Sequence, residues 1–145
     1  MKRVPLLLIL GAIFCSVPAF ALAEAALPIS KPAVSEQITG VIAAQLAAFR
    51  AGEVEKAYSY AAEPLRLQTP APAFARIVQQ SYPEIWRNTR ADFGLVRDDG
   101  KRATLVVRVF AEGADAAYDY VLFKEAAGWR IGGVLRHEPS AAKSL

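Results

Sequence analysis

The chain has 145 residues, with 17 basic and 14 acidic side chains, one cysteine and one histidine. That length supports a single domain with a sizeable core, and so even a charge balance excludes the dense basic face that nucleic-acid binding requires. One cysteine and one histidine are too few soft ligands for a transition-metal centre or a thiol pair, so neither a metal nor a cofactor is expected.

The chain opens with Met1-Lys2-Arg3, an apolar run over 4–17, and Ala21-Leu22-Ala23 ahead of Glu24. A basic start, a short apolar core and small residues before the cut describe a signal peptide over 1–23. The run is shorter than the roughly twenty residues that span a bilayer, so cleavage is expected, with no stable membrane anchor left behind. Phe14 precedes Cys15, where lipid attachment would need a small residue. Cleavage leaves 122 residues, 15 basic against 14 acidic, with no cysteine. The expected location is periplasmic or secreted, and stability must come from packing rather than from disulfides.

Residues 24–35, with Pro28 and Pro32, read as a linker. Ser35 is placed to cap a helix whose buried stripe is Ile38, Val41, Ile42, Leu46 and Phe49, and Gly52 supplies its stop. Residues 53–62 form a second short helix that Pro64 ends. Thr69-Pro70 opens a third, which presents Phe74, Ile77 and Val78. Beyond Tyr82-Pro83 the pattern alternates. Ala91, Phe93 and Leu95 share one face of a first strand, and Asp98-Asp99-Gly100 turns into a second over 102–110. Strands over 117–125 and 129–135 follow, then a flexible tail over 138–145. The predicted fold is one α+β domain over 36–137, with N-terminal helices packed on a C-terminal antiparallel four-stranded sheet. The second strand is apolar on both sides, Leu105, Val107 and Val109 against Val106 and Phe110. Helices cover one face only, so the other is expected to form a homodimer.

Several segments together resemble a bacterial family known as domain of unknown function 4864: Val41-Ile42 with Gln45-Leu46 and Ala48-Phe49, Phe74 with Ile77-Val78, Ser81-Tyr82-Pro83 with Trp86-Arg87, and Gly128-Trp129-Arg130-Ile131. The resemblance covers about 36–135. The order of helices and strands is also similar to the cone-like fold of nuclear transport factor two and ketosteroid isomerase. These likenesses imply a bent sheet with a mouth lined by side chains and transfer no catalytic residue.

The segment Tyr82-Pro83-Glu84-Ile85-Trp86-Arg87 is the richest in chemistry. A helical turn after Pro83 brings Tyr82 and Trp86 together beside Arg87, either as a pocket wall with a fixed cation or as a plug at the helix-to-sheet junction. Tyr58, Tyr118 and Tyr120 are candidates for hydroxyls in a cavity, and Gln45 for an amide pointing toward the sheet. The expected ligand-binding set is Gln45, Tyr58, Tyr82, Trp86, Arg87 and Tyr118. Two functional readings lead, beside a third in which the domain is a pure interaction module whose cavity is filled by its own side chains. One is a non-catalytic domain that binds a small molecule or an envelope protein. The other is an isomerase or hydrolase-like enzyme with Asp92 or Asp119 as base and Tyr58 or Tyr118 as donor.

Overall fold

The computed structural model describes residues 27–138. The expected signal peptide and residues 139–145 of the expected tail lie outside the described residues. Helix α1 (Pro32–Arg50) is organised by Ile38, Ile42, Leu46 and Phe49, all buried, while Val41 is only half-buried. It begins a turn before Ser35, whose N–H already donates to Lys31 O at 2.9 Å. Pro32 occupies the first turn, where its missing N–H has no intrahelical partner to lose. Gly52 ends the helix as expected, at φ +74, with its N–H on Phe49 O.

Helix α2 (Val54–Ser59) buries Ala57. The stop expected at Pro64 is instead the start of α3 (Glu63–Gln68), because proline is excluded from a helix interior but suits its first turn. In α4 (Ala71–Ser81), which buries Phe74 and Val78, Pro70 is the capping residue and Pro72 lies in the first turn. A single turn, α5 (Pro83–Trp86), leads into the sheet.

Five antiparallel strands form one open sheet: β1 (Asn88–Phe93), β2 (Arg97–Asp98), β3 (Arg102–Ala111), β4 (Ala114–Glu125) and β5 (Gly128–Arg136). Their order is β1-β3-β4-β5, with β2 also beside β3. The architecture is the expected α+β arrangement, with one strand more than the sequence suggested. The extra strand arises because the first breaks after Phe93; Gly94 N–H still donates to Val106 O, but pairing resumes only at Arg97 opposite Thr104. Leu95 therefore lies between strands, exposed. The Asp98-Asp99-Gly100 turn is as expected: Asp99 Oδ1 accepts from the N–H groups of Lys101 and Arg102, both at 2.9 Å, which holds its carboxyl below the usual value.

The stretch read as a linker is tied to the sheet from Leu27 onward. Leu27 is buried, Asp98 N–H donates to Pro28 O, and Ser30 N–H donates to Val96 O, so this segment lies alongside β2. At the opposite edge the turn between α2 and α3 covers β5, with Ala62 N–H on Ile131 O and Ile131 N–H on Tyr60 O, both at 2.8 Å.

The helices bury one face of the sheet, which carries Leu105, Val107, Val109, Tyr118, Tyr120, Leu122 and Ile131. Each buried aliphatic is worth about 1.5–3 kcal/mol, so this layer is the main source of stability. The alternation read from the sequence matches this division. On the free face Val106 and Val121 are half-buried, Phe123 and Leu135 are exposed, and ion pairs join Arg90 to Asp92 at 2.8 Å and Arg108 to Asp115 at 2.5 Å. Among the described residues no helix is long and apolar enough to cross a membrane.

Candidate functional site

Between α1, the α3–α4 segment and β5 lies a cavity of about 130 Å³. Its walls are mainly apolar. Phe49 of α1 and Phe74 of α4 stack at 6.1 Å, and Ile131 and Val134 of β5 lie across from them. Ile77, 47 % exposed, stands at the rim. The outer wall includes Leu65 of α3, a helix that buries none of its residues. That helix is held by Tyr58, whose single hydroxyl proton is shared between Thr69 O at 2.7 Å and Arg66 O at 3.0 Å.

Three polar side chains reach the cavity: Gln45, Thr69 and Tyr82. Tyr82 donates its hydroxyl proton to Val134 O at 2.8 Å. Gln45 is 4 % exposed, and its Nε2 donates to Ala57 O at 3.0 Å. That bond fixes the amide orientation, because Ala57 O can only accept. Among the described residues nothing hydrogen-bonds Gln45 Oε1. That oxygen opens on the cavity, where whatever fills the space can supply the donor.

Behind Tyr82 is a second polar cluster. Its ring meets that of Tyr118 at 5.8 Å, and the Tyr118 hydroxyl donates to Glu84 Oε1 at 2.5 Å. Arg136 Nη2 donates to the same oxygen at 3.1 Å and lies 3.3 Å from the Tyr118 hydroxyl. Burial would raise the Glu84 carboxyl, but the bond from Tyr118 and the Arg136 charge outweigh it, and the group stays below its ordinary value. Burial, and then the neighbouring carboxylate, push the Tyr118 hydroxyl well above the ordinary tyrosine value. Every member of this cluster has a partner, so it reads as structure. Nearby Tyr120 is different: its hydroxyl is buried with no partner among the described residues, and burial raises it also.

Residues 31–143 match the family model described as domain of unknown function DUF4864. The chain belongs to the DUF4864 family. No curated protein and no solved structure matches it, so the likeness to the nuclear transport factor two cone rests on the order of elements alone.

The DUF4864 domain brings together only part of the expected ligand set. Gln45 and Tyr82 line the cavity, while Tyr58 supports its wall and packs its ring on Phe74 at 5.1 Å. Tyr82, Trp86 and Arg87 do not share one wall: Trp86 turns to Phe49 at 5.7 Å, Tyr82 turns to Tyr118, and Arg87 is exposed in an outer depression with Glu84 and Glu112. The divergence follows from α5 being only one turn long, so each aromatic takes the nearest ring on another element. Tyr118 serves Glu84 rather than the cavity. Neither candidate base reaches the cavity: Asp92 pairs with Arg90 on the free face, and Asp119 lies 2.8 Å from His137 Nδ1 on that same face. Sequence reasoning did not single out Glu84, Arg136 or the buried Asn88. Glu84 lay inside the segment chosen for its aromatics, but its partner Tyr118 is 34 positions away and no local spacing reports it.

Proposed function

We propose that this DUF4864 domain is an exported, non-catalytic binding domain whose cavity takes a small organic molecule, and that its free sheet face meets a second copy of the chain. The observation that carries the first part is an apolar cavity, open at one rim, on which an amide oxygen without a donor among the described residues opens. The candidate carboxylates face away from it and are paired, which favours binding over the proton-abstraction alternative. Export rests on the leader: a cut after Ala23 preserves Leu27, which is buried, so processing leaves the folded unit whole. Self-association rests on Val106, Val121, Phe123 and Leu135, which run across the free face beside ion pairs already closed within the chain.

A thermal-shift screen of the purified protein against small metabolites tests the binding part. A ligand at about a hundred times its Kd adds about 2.7 kcal/mol of stability. The Ile77→Trp variant, which plugs the rim from a half-exposed position, should abolish any such shift. An N-terminus at Glu24 in the exported protein checks the processing. Sedimentation showing monomer alone at concentrations on the order of tens of micromolar would remove the dimer.

A further inference from the structure

Resting on the binding reading above, we infer that the preferred ligand is a neutral molecule with a benzene-sized apolar body and one hydrogen-bond donor, seated with that donor on Gln45 Oε1. Size comes first. An apolar cavity of about 150 Å³ accepts a benzene-sized guest, and this cavity is about 130 Å³. Charge comes second. Among the described residues no carboxylate, ammonium, guanidinium or imidazole lines the cavity, and a charged guest would lose hydration with no opposite charge to replace it.

Polarity decides the rest. One N–H of Gln45 Nε2 is engaged by Ala57 O, which turns the opposite, oxygen side of the amide to the cavity as an acceptor. A guest that only accepts, such as a ketone or an ether, leaves Oε1 as bare as before. A guest with a hydroxyl or N–H completes the set that the fold leaves open. The Tyr82 hydroxyl proton is already committed to Val134 O, and Thr69 is only half-buried at the edge, where water competes. Oε1, which has no hydrogen-bond partner among the described residues and opens on the cavity, is therefore the position at which a donor on the guest gains most.

Phenol and toluene have nearly the same shape and differ by that donor, and benzoate adds charge. Their Kd values for the purified protein and for Gln45→Met can be read from the methyl resonances of Val78 and Ile131. The expected result is that phenol binds the unaltered protein at least as tightly as toluene and that benzoate does not bind. In Gln45→Met the phenol-to-toluene preference should fall by about tenfold, the worth of one buried hydrogen bond, while toluene binding is little changed. Toluene binding more tightly than phenol in the unaltered protein, or a preference unchanged by Gln45→Met, overturns the assignment of the donor and leaves the cavity reading intact. Failure of both phenol and toluene to bind overturns the cavity reading itself. The comparison within the unaltered protein holds whether or not Gln45→Met folds well.

Discussion

Two amides are buried in this domain, Gln45 at 4 % and Asn88 at 3 % exposure, and they are used in opposite ways. Asn88, at the start of β1, donates through Nδ2 to Leu46 O at 3.0 Å and Ile85 O at 2.8 Å, and its Oδ1 accepts from Arg50. It fastens α1, α5 and β1 at one point. Gln45, one position before Leu46 on the same helix, makes one bond and leaves its oxygen facing the cavity. An amide satisfied by the fold at both ends locks elements together, whereas one whose oxygen opens on a cavity ties down less of the structure. Substitutions at the two ends should therefore separate structure from function.

The largest effect is expected at the satisfied end. Asn88→Ala strips Leu46 O and Ile85 O of a donor and deprives the Arg50 guanidinium of its acceptor, which should cost about 3 kcal/mol in urea unfolding. A loss below about 1 kcal/mol would mean that Asn88 is not a fastening and would blur the contrast with Gln45.

Next comes Tyr118→Phe, which removes the donor from Glu84 while Arg136 remains, at about 2 kcal/mol near neutral pH. The sign of its pH dependence can be worked out. The Glu84 carboxyl is held below its unfolded value of 4.5, so its stabilisation is present above that value and lost as pH falls through the folded one. Acid unfolding curves should converge: the variant deficit should shrink as pH falls below 4.5 and through the lower folded value, where Glu84 is protonated in both proteins.

How far the sequence disclosed these relations depends on how local they are. The stripe Ile38, Ile42, Leu46, Phe49 and the alternation in β3 and β4 are periodic, so helix, strand and buried face were all legible. Gln45 was visible for the same reason, as a polar residue on an apolar stripe. Asn88 and Glu84 were not, because their partners Leu46 and Tyr118 lie far off in the chain and no period connects them. Pro64 was misread because the same residue ends one helix or begins another, depending on which turn it occupies. The cavity itself was beyond reach from sequence, since it exists only where α3 and α4 close over β5.

A smaller effect, of opposite sign, is expected at Tyr120→Phe. The hydroxyl removed is buried and has no partner, so stability should rise by about 0.5–1 kcal/mol where Tyr118→Phe lowers it, although the two tyrosines are two positions apart on one strand face. The alkaline limb gives a second readout. Burial holds the Tyr120 proton above the unfolded value of 10.0, so above that pH the unfolded chain loses a proton that the folded one keeps. Stability then falls by up to about 1.4 kcal/mol per pH unit, and Tyr120→Phe should remove that share of the slope.

The smallest effect on stability is expected at the unsatisfied end, and it is the sharpest test of the comparison. Gln45→Met keeps length and volume but loses the bond to Ala57 O, worth about 1 kcal/mol. Two things offset that loss. Ala57 O keeps the N–H of Tyr60 at 3.2 Å, so it is not stranded. The amide oxygen that had no donor is replaced by a thioether that needs none. The net change should lie within about 0.5 kcal/mol, several times less than at Asn88 although both residues are equally buried. If Gln45→Met instead costs as much as Asn88→Ala, the amide is a fastening like the other, Oε1 has a partner in solution, and the case for a guest donor in the cavity goes with it.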